Sequence, residues 1–440
     1  MTQLNQQTAR ERIAMLHYTC PPVVGGVEAV MAAHARLFAS AGYEVTVIAG
    51  RGPAPQPEPP KIHTVIVPLI DSKNEELLAI NQQLDAGEVP ERFEPFAEAI
   101  YRRLKDQLKG FEACIVHNAF TLHKNLPLTA ALFRLAADLP EVRFISWCHD
   151  LAWTNPLYAP VLYNGKPWDL LRTVAPGVTY VAISPQRQGE ILETFQPKLA
   201  VEAVPVIPNG VAFADFLKLG QETLAVLAAA ELDRAIQEKA LLLLLPARIT
   251  RRKNIELAVR VAAALKKRGQ PVRMIVTGPP GPHNPKNDVY VRELLALREE
   301  LGVEQEVVFL MERWQDEQGR PRTISDEVIA DLYRVGDALF FPSSQEGFGI
   351  PLLEAGLARI PAFCSRLNPF VEIAGELPYY FDPESAPESV AGLILEKLAA
   401  NDQYRLRRVV LENYTWESIF EQQLKPLVSQ YSHYKESLAD

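Results

Sequence analysis

Apolar residues run through this chain in short blocks separated by amphipathic stretches, and the alternation restarts about halfway along. Residues 13–18 read as a buried strand, about 28–40 as a helix with Gly42 just past its end, and 44–49 as a second strand, which together predict a βαβ unit. Apolar runs at 62–67, 113–117, 142–148 and 178–183, spaced by helical stretches such as 94–109, extend one parallel sheet. Pro53, Pro55, Pro57, Pro59 and Pro60 mark a stiff surface loop between two of these strands.

Around 204–211 (VPVIPNGV) the pattern gives a short strand and a turn, and a helical segment at about 221–238 is expected to be the passage between two halves. Strands then recur at 241–247, 272–277, 307–310, 338–341 and 362–364, with a helix at 255–268 closed by Gly269. The chain therefore predicts an α/β fold of two doubly wound, Rossmann-like domains. Ligands in such sheets bind outside the carboxyl ends of the strands, so two facing sheets are expected to hold a substrate cleft between them. A last amphipathic helix is expected over about 416–434, carrying Ile419, Phe420, Leu424 and Leu427.

Composition narrows this picture. At 440 residues the chain exceeds what one hydrophobic core usually supports. A net charge of -9 and the lack of a basic half argue against nucleic acid or anionic lipid as a partner, although hydrophobic surface loops leave membrane association open. No apolar run approaches membrane-spanning length and the start, MTQLNQQTARER, does not resemble a signal peptide, so a cytoplasmic location is expected. Cys20, Cys114, Cys148 and Cys364 lack metal-ligand spacing and read as reduced, buried thiols, with no metal site expected.

The segment 343–354 (SSQEGFGIPLLE) is the hardest to explain as scaffold. A buried strand leads into a Gly-Phe-Gly-Ile-Pro turn, Pro351 suits the first helical position, and the N–H groups of Phe348, Gly349 and Ile350 would then face an anion at the helix start. Gly347 and Gly349 would let a phosphate approach closely, with Glu346 and Glu354 gripping hydroxyl groups on either side. Either glutamate alone could be an ordinary exposed acid; the pair around the turn points to a nucleotide sugar. Arg248, Arg251, Arg252 and Lys253 cluster before the next helix, where cations are unfavourable unless an anion offsets them. Arg248 and Lys253 are the expected diphosphate ligands; Arg251 and Arg252 remain unassigned.

In the first half, Gly25 and Gly26 stand between strand and helix, where missing side chains would admit phosphate or sugar. The glycines do not make a GxGxxG fingerprint, and the second strand is followed by Gly50 and Arg51 rather than an acid, which disfavours NAD. His117 and His149 each close a strand and either line the cleft or serve as structural hydrogen-bonding groups. Ser184 and Asn209 read as helix-cap and turn residues.

The ordered set GGVE (Gly25 to Glu28), HD (His149, Asp150), IPNGV (Ile207 to Val211), ARITRRKN (Ala247 to Asn254), VTG (Val276 to Gly278) and EGFGIPLLE (Glu346 to Glu354) resembles the retaining GT-B glycosyltransferases of family 4. Ala247 stands where that family usually has glycine, and Met311 where glycine often follows the strand. The resemblance implies transfer of a hexose from a UDP-, GDP- or ADP-sugar to an acceptor hydroxyl, with retention, no cofactor and usually no metal. It implies that Arg248 and Lys253 stabilise the leaving diphosphate, Glu346 holds sugar hydroxyls, Glu354 binds the ribose, and the turn 348–350 contacts diphosphate or sugar. It further implies His149 near the reacting carbon, Gly278 at the nucleotide, and Gly25 and Gly26 closing over the donor. The expected domains are 1–205 for the acceptor and 206–413 for the donor, with a terminal helix, 414–436, packing back on the first. A soluble sugar or metabolite is the favoured acceptor. A nucleotide-sugar epimerase of the same architecture and a non-catalytic nucleotide-sugar binding protein are the alternatives.

Overall fold

The computed structural model describes residues 11–23, 25–53, 60–281 and 286–429. They fall into two compact units, one taking the chain to Val211 and again from Ile419, the other formed by Ala212–Ser418. The 205/206 boundary expected from sequence falls short of this because Val206 still bridges to Ala182 and the Ile207 N–H donates to the Ala182 carbonyl at 2.9 Å. Those two contacts keep the chain on the first sheet.

The first unit holds β1 (Arg12–Thr19), β2 (Glu44–Arg51), β3 (Ile62–Ile66), β4 (Ala113–His117), β5 (Arg143–Cys148) and β6 (Val178–Ala182), in the order β3-β2-β1-β4-β5-β6. All neighbouring pairs are parallel. The second unit repeats the scheme with β7 (Leu241–Leu245), β8 (Val272–Val276), β9 (Val307–Phe309), β10 (Ala338–Phe341), β11 (Ala362–Ser365) and β12 (Tyr379–Phe381), ordered β12-β11-β10-β7-β8-β9 and again parallel. Each sheet thus reverses strand order once, between β1 and β4 and between β7 and β10. A doubly wound sheet offers its ligand crevice at such a reversal.

The five consecutive leucines of β7 show why these strands are so apolar. Leu241, Leu243 and Leu245 pack on one side with the helix Ile255–Lys267, while Leu242 and Leu244 pack on the other with the helix Asp326–Val335. Successive side chains of a strand point to opposite faces, and helices cover both. At about 1.5–3 kcal/mol per fully buried leucine, this strand alone contributes strongly to the core.

Three expectations change. Residues 204–211 form no strand, only isolated bridge positions at Val206 and Val211, and β12 was not anticipated. Segment 221–238 is not a linker but two helices, Gln221–Ala229 and Leu232–Gln237, broken at Glu231 in the left-handed region and packed into the second unit's core. The Asp331 carboxylate pins their start by accepting from the Gly220 N–H at 3.0 Å and the Thr223 hydroxyl at 2.6 Å.

The terminal segment passes from a helical turn, Trp416–Ile419, into a π-helical turn, Phe420–Leu424. Phe420 packs edge-on against Phe38 at 5.1 Å, and the Arg143 guanidinium donates to the Leu427 carbonyl, so the stretch from Ile419 onward belongs to the first unit, while Trp416–Ser418 stay with the second. Residues 430–436 of the expected helix and 54–59 of the proline-rich loop lie outside the described residues. Among the described residues no helix is long and apolar enough to cross a membrane.

Candidate functional site

At the carboxyl ends of β7 and β10 two loops meet. The first leaves β7 through Ala247 and Arg248, makes a 3-10 turn at Arg251–Lys253, and enters the helix Ile255–Lys267 through Asn254, whose φ of 49° suits asparagine. The second leaves β10 through Ser343 and Glu346 and enters the helix Ile350–Ala358 through Gly349. The Ser344 N–H and hydroxyl both donate to the Arg252 carbonyl, at 2.9 and 3.2 Å, which ties the loops together.

Their meeting point is an ion cluster. Glu346 accepts from the Lys253 ammonium, from Arg252 Nη1 at 3.0 Å and from the Ser343 hydroxyl at 2.9 Å. Lys253 and Glu346 are nearly buried, with side chains 10% and 9% exposed, and the ammonium lies 4.8 Å above the Phe341 ring. Burial pulls the Lys253 pKa down, the Glu346 contact opposes this, and the Arg252 charge adds to the lowering. Arg251 turns away to Glu293 at 2.5 Å and to the Tyr290 ring. The contrast between Arg251 and Arg252, which sequence left unassigned, is therefore structural: only Arg252 joins the cluster.

A cavity of about 730 Å³ opens here. Of the residues singled out from sequence, Arg248, Lys253, Gly278, Glu346, Phe348, Gly349, Ile350 and Glu354 all line it. Arg252 and the Arg322–Ile324 stretch line it too, unanticipated because that stretch lies in an irregular loop with no pattern to read. Its four cationic side chains exceed its two carboxylates by two charges. Arg248 and Arg322 have no carboxylate within ion-pair distance among the described residues, whereas Arg252 and Lys253 are engaged by Glu346. Such a surplus of positive charge favours an anionic ligand.

The glycines have different reasons to be there. Gly349 has a φ of 122°, and a Cβ on it would meet the Phe370 ring at 2.9 Å, so backbone shape and packing demand it rather than ligand approach. Gly347 faces open space and is the one free to admit a ligand. Gly278 donates to the Ala247 carbonyl at 3.1 Å, and a Cβ would lie 2.4 Å from that oxygen. Pro351 is the second helical residue, not the first, and the helix begins at Ile350. The Phe348, Gly349 and Ile350 N–H groups donate to no acceptor among the described residues. Glu354, one turn inside the helix, accepts from the Tyr333 hydroxyl at 2.7 Å, and burial followed by the Glu354 charge drives the Tyr333 pKa up.

His149, Gly25 and Gly26 lie in the first unit. A Cβ on Gly25 would strike the Glu28 carboxylate, which also accepts from the Thr19 hydroxyl, so Glu28 fills the space that sequence assigned to a ligand. Gly26 faces open space. Asn118, at a φ of 61°, accepts from the N–H groups of His149 and Asp150 at 2.9 and 3.2 Å and so fixes both backbones. His149 Nε2 lies 3.0 Å from Nδ1 of the buried His117, whose ring also neighbours His17 and His34. Burial, then the charge of His17, holds the His149 pKa down to about 3, and burial likewise holds His34 to about 3 and His117 well below the usual range. Among the described residues no group of His, Cys, Asp or Glu has metal-binding geometry. The Ser184 hydroxyl caps the helix Pro185–Thr194, and all four cysteines are buried and free.

Known proteins match the chain in two pieces. Residues 24–214 match the Glycosyltransferase Family 4 model and residues 231–410 the Glycosyl transferases group 1 model. The serotype-specific mannosyltransferase WbdA of Escherichia coli is 40% identical over 107 residues, which are 24% of this chain and 13% of that protein. Mannosylglucosylglycerate synthase of Petrotoga mobilis is 26% identical over 281 residues, 60% of this chain and 62% of that one. The chain thus spans only part of each of these relatives. Sucrose-phosphate synthase of Thermosynechococcus elongatus, at 15% identity and a TM-score of 0.38 over 96% of this chain and 100% of that one, is too distant to bear on function. With one family model on each Rossmann-like half, the chain belongs to the GT-B glycosyltransferases of group 1, the class its motifs resemble.

Proposed function

We propose that the protein transfers a hexose, mannose by the names of its relatives, from a nucleoside diphosphate donor to an acceptor hydroxyl with retention at the anomeric carbon. One observation carries the reading: at the β7/β10 reversal a single cavity gathers Arg248, Arg252, Lys253, Glu346 and an open helix start, with positive charge in excess. Charge develops on the diphosphate oxygens as the glycosidic bond breaks, and preorganised donors at that place lower the barrier. Arg248 and Lys253 are assigned to those oxygens, Glu354 to the ribose and Glu346 to the sugar hydroxyls. His149 is assigned to the transferred sugar, with Gly26, which faces open space, beside the donor.

No protein nucleophile is required. Both oxygens of Glu346 are engaged by Lys253, Arg252 and Ser343, which makes it a poor attacking group, and the leaving phosphate can take the acceptor proton. The excess cationic charge supplies what a divalent ion would otherwise provide. The favoured acceptor is a soluble sugar or metabolite, and the donor base is uridine, guanosine or adenosine. Four free thiols suit a reducing, cytoplasmic setting.

The test is incubation with UDP-, GDP- and ADP-hexoses and a panel of acceptors. Acceptor-dependent release of nucleoside diphosphate with an α-linked product from an α-donor is expected. Conversion of the donor without acceptor would make it an epimerase, and tight binding with neither hydrolysis nor transfer a binding protein.

A further inference from the structure

We infer that His117 is a positioning residue that locks His149 in its Nδ1–H tautomer, so that His149 meets its ligand as a hydrogen-bond donor rather than as a base. The use of that donor, toward an oxygen of the transferred sugar, rests on the function proposed above; the tautomer does not.

The two rings meet although they lie 32 residues apart in the chain. His117 Nδ1 and His149 Nε2 lie 3.0 Å apart, with ring centroids 5.3 Å apart and ring planes within 19° of each other, and two neutral imidazoles so placed share one proton between those nitrogens. His117 is fully buried, among three other histidines, where a charged form is strongly disfavoured. Two arrangements are then open. In one, His149 donates and His117 carries its own proton on Nε2; in the other, His117 donates from Nδ1 and its Nε2 is bare.

The surroundings of His117 Nε2 decide between them. That atom is buried with no hydrogen-bond partner. A buried N–H without an acceptor is rare in folded proteins, and a bare lone pair is better tolerated. His117 therefore keeps its proton on Nδ1 and donates it to His149 Nε2, which leaves His149 protonated on Nδ1. The backbone is fixed to match. His17 Nδ1 donates to the His117 carbonyl at 3.0 Å, and the Asn118 side-chain oxygen accepts from the His149 N–H at 2.9 Å, so the backbones that carry the two rings are held in place. His149 Nδ1 makes no hydrogen bond among the described residues and is the nitrogen left to donate outward.

The tautomer is read from two-bond proton–nitrogen correlation spectra of the protein labelled with ¹⁵N-histidine, with the His149 signals identified by their loss in His149→Asn. A protonated Nδ1 and a bare Nε2 at His149 are expected; the reverse pattern overturns the inference. His117→Ala is expected to move His149 toward the Nε2–H form, while His117→Asn, which keeps an amide donor at the place of Nδ1, is expected to preserve the wild-type pattern. An unchanged tautomer in folded His117→Ala also overturns the positioning role, and if that variant does not fold, loss of the pattern in His117→Asn does so.

Kinetics then separates the two layers. Asparagine at 149 places a donor where Nδ1 stands and glutamine where Nε2 stands, so His149→Asn is expected to retain about tenfold more kcat/KM than His149→Gln, the worth of one hydrogen bond. Equal activity of the two, with the expected tautomer intact, upholds the inference about His117 and removes the sugar contact from the proposed function.

Discussion

At Lys253 two forces oppose each other. Burial disfavours its charge and Glu346 restores it. A lysine whose pKa is lowered loses its proton at a lower pH than a free one, so the alkaline fall of kcat/KM should begin below the ordinary lysine value of 10.5. Replacing Glu346 with glutamine removes the opposing charge, and the alkaline limb should then move to still lower pH, beyond whatever rate is lost outright; a pH–rate profile of both proteins checks this. Lys253→Ala should lower turnover by roughly 10²-fold or more, the usual cost of removing one such electrostatic donor. Arg251→Ala should cost far less, because Arg251 faces Glu293 and Tyr290 instead of the cavity. Equal losses in steady-state assays of these two variants would contradict the assignment.

The turn that opens the helix Ile350–Ala358 separates stability from binding at the scale of one element. Gly349→Ala forces a side chain into a positive φ and against Phe370, which should destabilise the second unit by about 1–3 kcal/mol in denaturant unfolding. Gly347→Ala meets no atom within 4 Å, so unfolding should be unchanged while affinity for nucleoside diphosphate falls by titration calorimetry. The core strand β7 has no such division: Leu243→Ala should cost about 2–5 kcal/mol of stability, read in the same unfolding experiment, through the cavity it leaves under the helix Ile255–Lys267.

For the molecule as a whole, two sheets with the same strand order each gather a polar cluster at their own reversal point: the ion cluster at β7/β10 and the histidine cluster around β1, β4 and β5. Nucleoside diphosphate alone should protect the loops following β7 and β10 from hydrogen exchange and leave the interior of β7 unchanged, since a bound ligand stabilises the parts it touches. On the proposed function, transfer should also survive excess EDTA, since the four cations lining the cavity would balance a diphosphate without a metal ion.

The apolar runs by themselves determined most of this architecture, because a strand covered on both faces must be apolar throughout, and few residues besides such a run satisfy that demand. The turn at Glu346 to Glu354 and the cations before Ile255 were legible for a related reason: glycines, a proline and charges at a strand-to-helix junction have few purely structural uses. The short strand β12 and the two helices taken for a linker were not legible, since only their packing partners distinguish them from loop. Tertiary structure alone decided which of three consecutive cations turns away from the cavity, because successive side chains in a 3-10 turn point about 120° apart and sequence does not say which direction is occupied. It also decided what each glycine is for, and it brought His117, at the end of β4, to His149, just past the end of β5. Periodicity is a local property of the chain, while the direction of a side chain and the proton it holds depend on neighbours remote in sequence.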